Sequence, residues 1–148
     1  THCESSAASD VYKRQIPLIA AMGGNVGVQS SAIVVQGLAS ANVNMGNLVG
    51  RLLKELSVGL VNGLICSAVI LFTSVALGFG WTLSTTVSAS LLCVIVFAAL
   101  FGAFVPLMLD KRNIDPALAT GPFITTANDI MGLVIYFSIG SFVASLMA

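Results

Sequence analysis

Residues 121–137 read GPFITTANDIMGLVIYF, and this run holds one charge, Asp129, among uncharged and mostly apolar neighbours. A carboxylate in a hydrocarbon layer costs several kcal/mol unless something compensates for it, so an ionisable residue there marks a functional position by default. The rest of the chain decides whether the run crosses a membrane. Its 148 residues are 57% hydrophobic and only 8% charged, with a mean hydropathy of +1.00. A soluble domain carries about a quarter charged residues, so this composition belongs to the membrane class. Six acidic residues balance six basic ones. There is no basic patch to hold nucleic acid and no phosphate-cradling loop.

Apart from Asp129, the charges fall in three groups: Glu4 to Arg14, Arg51 to Glu55, and Asp110 to Asp115. A helix needs roughly 20 apolar residues to cross a core of about 30 Å. Four segments meet that need: 16–40, 58–78, 83–109 and 116–146. The expected fold is an all-α integral membrane bundle of four transmembrane helices. Between the first two lies NLVGRLLKELS, residues 47–57. Leu48, Leu52 and Leu56 share a face, with Arg51, Lys54 and Glu55 opposite, which predicts a short amphipathic helix lying in the membrane interface. Arg51 and Lys54 follow the first span, and Lys111 and Arg112 follow the third. The positive-inside rule makes both connectors cytoplasmic and puts the C-terminus outside, with Trp81 as an outer interfacial anchor. The protein is read as multi-pass in the inner (plasma) membrane.

The N-terminal stretch is of another kind. SSAASDVYKRQ, residues 5–15, resembles translated sequencing-adaptor sequence. It lacks the order of basic, apolar and small residues that marks a signal peptide. Residues 1–15 are therefore set aside from the functional reading, and 16–148 are expected to be a membrane domain truncated at its N-terminal side. Cys3, Cys66 and Cys93 form no CxxC pair, and the one histidine, His2, lies in that stretch. Buried small residues account for Cys66 and Cys93. Intramembrane enzymes are excluded on the same inventory. An aspartyl protease needs two membrane carboxylates, and a serine protease needs a base that no span contains.

Asp129 has informative helix neighbours: Thr125 at i−4, Gly121 at i−8 and Gly132 at i+3. Thr125 offers a hydroxyl, and the glycines leave room for a narrow polar path. If a helix starts at Pro116, Asp129 lies about 20 Å along it. Pro122 disturbs the turn before it and frees carbonyl oxygens. A second cluster is GGNVGVQSS, residues 23–31. Asn25 and Gln29 share a face one turn apart, and Ser30 adds a hydroxyl. Gly23, Gly24 and Gly27 permit close helix contact or irregular backbone. Gly59 and Gly63 have the same spacing and read as ordinary close packing. Asp115 before Pro116 reads as a helix N-cap, or as a carboxylate that attracts cations at the cytoplasmic mouth. Oxygen-only donors point to a hard cation such as Mg2+. One deep carboxylate cannot balance a dication, but two copies across a symmetric axis can, which predicts a homodimer.

The segments PLIAAMGGNVGVQSSAIVVQGLA and DPALATGPFITTANDIMGLVIYF, in this order and spacing, resemble the transmembrane domain of the MgtE family of magnesium channels or transporters. The resemblance covers about 16–146. It implies a homodimer with five helices per subunit around a magnesium-selective pore, of which this chain holds the second to fifth. It also implies that the family's central carboxylate falls on Asp129, its neighbour one turn earlier on Thr125, its GGN asparagine on Asn25, and the acidic residue opening the last helix on Asp115. The family's first transmembrane helix and its gating cytoplasmic domains have no counterpart here. A secondary transporter exchanging a divalent cation for protons or sodium is the alternative, with Asp129 as proton relay. A purely structural membrane subunit is the third class, and Asp129 argues against it.

Overall fold

The computed structural model describes residues 2–40, 48–119 and 121–147. It describes no side chain at 1–14, 48, 119, 144, 146 or 147. The adaptor-like side chains before Gln15, and Asn47 of the expected amphipathic stretch, lie outside the described residues. The described chain is helical throughout: α1 (His2–Ala39), α2 (Leu48–Ala76), α3 (Trp81–Lys111), a 3-10 turn at Pro116–Ala119, and α4 (Pro122–Met147). All four long helices are apolar and long enough to cross a membrane, and the first span covers Gln15–Ala39.

The spans form because each uncharged run lets the backbone satisfy its own hydrogen bonds within one helix, which a hydrocarbon layer demands. α3 is the central element and packs against α1, α2 and α4. Its inward face carries Val87, Leu91, Val94, Ile95, Ala98 and Ala99, each at most 1% exposed. Ile19 of α1 and Tyr136 of α4 close the same cluster. A smaller cluster of Val34, Ala103 and Leu107 joins α1 to α3 nearer their C-terminal ends. The register fixes the directions. Gly23 meets Val94 and Gly27 meets Gly102, so α1 and α3 run parallel. Gly59 meets Ala99 and Gly63 meets Leu92, so α2 runs antiparallel to α3. One hydroxyl ties that pair further: Ser88 Oγ donates to the Ser67 carbonyl at 2.7 Å.

The spacing of Gly59 and Gly63 does serve close packing. A Cβ at Gly59 would lie 2.9 Å from the Ala99 Cβ, and one at Gly63 would lie 2.8 Å from the Leu92 Cδ1. The Leu92 methyl can rotate away, but the Ala99 Cβ is fixed to the backbone. Gly59→Ala is therefore expected to lower the melting temperature more than Gly63→Ala, with overpacking at Gly59 costing about 1–3 kcal/mol. Thermal unfolding of the two variants in one detergent checks this; equal shifts would refute the contrast.

Three expectations change, the first being that Cys93, read as a buried small residue, is exposed, and Cys66 only partly buried. Residues 48–57 are not a separate interfacial helix but the first turns of a continuous α2. Their polarity is also turned: Glu55 is 5% exposed, whereas Val49 and Leu53 are more than half exposed. Glu55 is drawn inward because Arg51, one turn earlier, approaches it to 3.6 Å. In addition, the fourth span does not begin at Pro116. The chain makes a 3-10 turn at Pro116–Ala119, and Gly121 then takes φ +67 before α4 starts at Pro122. Gly121 supplies a left-handed backbone that other residues resist, and Pro122 suits a first helical position where its missing N–H costs nothing.

Candidate functional site

α1 and α4 meet along a face that α1 builds almost without side chains. A Cβ on Gly24 would lie 3.3 Å from the Thr125 Cγ2 and 3.4 Å from the Asp129 Oδ1. The Asp129 carboxylate therefore lies beside Gly24, and the tighter approach at this position is that of Thr125. One turn on, Gly27 leaves room for Ile124 and for the side-chain amide of Asn128. Beside this contact opens a groove of about 810 Å³, lined by Asn25 and Gln29 of α1 and by Gly121, Pro122, Thr125 and Thr126 at the start of α4. Asn25 and Gln29 are exposed on one face, as their spacing predicts. The Thr125 hydroxyl donates to the Gly121 carbonyl at 3.1 Å, and its oxygen can still accept or ligate.

The structure brings together Asn25, Gly24, Gln29, Gly121, Pro122, Thr125 and Asp129, and sets Asp115 and Gly132 apart. Asp129 is half-buried and lies seven residues into α4, about 10 Å from its start and not 20 Å. The difference comes from the break at Gly121. Asp129 stays inside the span Pro122–Val143. Asp115 is exposed, and its Oδ1 accepts the Ala117 N–H at 2.9 Å, so it caps the 3-10 turn and not the span. Gly132 faces α3, where a Cβ would lie 3.5 Å from Val94. It belongs to a buried stripe of α4 with Ile124, Asn128 and Tyr136. Ser30 is buried and faces a different groove, between α1 and α2, which Gln29, Glu55 and Asn62 also line.

Two residues escaped the sequence reading. Asn128 is 0% exposed, and neither its Nδ2 nor its Oδ1 has a hydrogen-bond partner among the described residues. The signal that would have found it is its place in the four-residue spacing of 124, 128, 132 and 136. Glu55 is the other, hidden because its charge suggested a solvated face. Among the described residues no three His, Cys, Asp or Glu side chains gather. The α1–α4 groove thus offers the neutral oxygens of Asn25, Gln29, Thr125 and Thr126, with the Asp129 carboxylate one helical turn beyond Thr125.

Four membrane-length helices define a multi-pass membrane protein, with one carboxylate beside the amide and hydroxyl groups of the α1–α4 contact. The sequence pattern of the MgtE divalent cation transporters matches residues 16–139, and the chain belongs to that family, whose members are transporters and not enzymes. The magnesium transporter MgtE of Bacillus subtilis is 36% identical over 126 residues, covering 85% of this chain and 28% of that protein. The magnesium transporter MgtE of Enterococcus faecalis matches to the same extent. That of Thermus thermophilus is 35% identical over 124 residues, covering 84% of this chain and 27% of that protein. The chain thus spans just over a quarter of the length of these relatives. The resemblance carried by the two quoted segments is borne out.

Proposed function

We propose that this chain forms part of the wall of a magnesium-selective pore at a homodimer axis, with Asp129 of each subunit holding the hydrated ion. The observation that carries this reading is the approach of Asp129 to Gly24 of α1, one turn beyond Thr125, which lines a groove with Asn25 and Gln29. Magnesium gives up its waters reluctantly and is held through one or two carboxylates, which suits a sparse site of carboxylate, amide and hydroxyl oxygens. A dication between two subunits receives one negative charge from each. The basic residues Arg51, Lys54, Lys111 and Arg112 place their connectors on the cytoplasmic side, with the C-terminus outside. Asp115 then stands at the cytoplasmic mouth. The cytoplasmic gating domains expected in the full-length protein would act on the pore from that side.

The test is magnesium flux into lipid vesicles containing the full-length protein, read with an enclosed magnesium-sensitive dye and a pH dye. Flux that follows the magnesium gradient, with no stoichiometric proton or sodium movement, supports the channel. Fixed coupling to either ion overturns it in favour of an exchanger with Asp129 as proton relay. Mass measurement in lipid nanodiscs addresses the axis: two copies support it, and a single active copy rules out the shared site.

A further inference from the structure

We propose that Asn128 is a second residue of the transport path, whose amide turns into the α1–α4 groove beside Asp129 during transport and returns to the bundle interior between ion passages. The proposal rests on the reading of Asp129 as the ion site. It starts from the fully buried Asn128 amide, whose two polar atoms both lack a partner among the described residues. Buried amides are ordinarily hydrogen-bonded, and an unpaired one penalises the state that contains it. A bridging water is a poor remedy here, because the amide lies hard against Gly27 and Gly27 in turn lies hard against Gly102. The arrangement in which Asn128 is buried is therefore raised in free energy relative to one in which the amide is solvated or bound.

The neighbouring geometry supplies the route. Asn128 and Asp129 are adjacent on α4, and they face Gly27 and Gly24, which are one turn apart on α1. Glycines present no side-chain ridges on the α1 side, so a small roll of α4 is resisted there less than at Tyr136, which packs into the α3 cluster. The backbone changes conformation at the left-handed Gly121, so α4 does not continue the preceding 3-10 turn. A partial roll carries the Asn128 carbonyl oxygen toward the groove that Asn25 and Gln29 already line. There it can accept hydrogen bonds from the waters of a hydrated magnesium ion. The polar group that is penalised at rest thus gains its partners from the cargo.

The test uses the full-length protein with all its cysteines, Cys66 and Cys93 among them, replaced by alanine. The variant N128C is treated with a water-soluble cationic thiol reagent, with and without magnesium. Modification that blocks flux, and is slowed by magnesium, is the expected result. A thiol that stays inert during transport overturns the proposal. The second variant, Asn128→Leu, has similar volume and no polar atoms. It is expected to unfold at the same or a higher temperature than the parent while its magnesium flux falls about tenfold, the effect of losing one good hydrogen bond. A structural amide would give the opposite stability change, and flux equal to the parent also overturns the proposal. Asp129→Asn is measured alongside. If it transports normally, the Asp129 reading has failed; if only it fails to transport while Asn128→Leu is unaffected, the Asn128 inference alone has failed.

Discussion

Asp129→Asn in the full-length protein is expected to abolish magnesium-dependent growth rescue in a strain lacking its own magnesium transport, at unchanged membrane abundance. The substitution keeps the shape of the side chain and removes its charge. A carboxylate about 5 Å from a dication contributes roughly 1.7 kcal/mol even at the dielectric constant of bulk water. Two copies at an axis contribute about 3.3 kcal/mol, so losing both weakens occupancy at least on the order of 100-fold. Within a narrow path the dielectric constant is lower and the loss larger. Stability should not suffer, because removing a charge from a membrane span lowers its insertion cost. Asp129→Glu keeps the charge but displaces it by one methylene, so it should transport partially. Asp129→Asn supporting growth like the parent would end the central-site reading and leave a structural carboxyl in its place.

Gly102→Ala is expected to be the most damaging single-methyl change in the bundle. A Cβ there would collide with the Gly27 carbonyl oxygen, and it would lie 3.0 Å from the Gly27 carbonyl carbon and Cα. These are backbone atoms of a neighbouring helix, so no rotamer change relieves the clash and α1 must separate from α3. The cost should reach or exceed the upper end of the usual range of about 1–3 kcal/mol for overpacking. Because α1 also carries Gly24, the shift moves the surface against which Asp129 rests, and transport should fall with stability. Gly80→Ala is the control. Gly80 has φ −54 and nothing within 4 Å of a Cβ, so its replacement should be silent. Thermal unfolding and flux on the same preparations decide the matter; a silent Gly102→Ala would mean that the α1–α3 contact is looser than described.

The four spans were legible in the sequence because charges cluster at their ends and leave the hydrocarbon-length runs clean. Asp129 and the GGN region were each legible as polar features of a span, but not as neighbours: the approach of Gly24 to Thr125 and Asp129 is seen only in the structure. The start of α4 was not legible. Asp115 followed by Pro116 is a helix-start signal, and so is Gly121 followed by Pro122; only the three-dimensional structure shows that the first opens a 3-10 turn and the second opens the span. Glu55 was misjudged because charge opposite leucine reads as a solvated face, whereas its pairing with Arg51 lets it turn inward. Asn128 was overlooked because the charge beside it drew the reading. Its burial depends on Gly27 and Gly102, which lie 101 and 26 residues away in the chain.

The unbroken α2 ties the protein to the thickness of its bilayer. Its 29 residues extend about 44 Å, against a hydrocarbon core of about 30 Å. The excess must be taken up by tilt or by letting the Arg51 end stand in the headgroup layer. α2 packs chiefly on α3 and leaves Leu60, Val61, Leu64, Ile65 and Phe72 exposed on the described chain. A thinner membrane would lay α2 over, and through Gly59 and Gly63 that lean is handed to α3 and the helices it supports. Lipid chain length is thereby an input to the shape of the bundle.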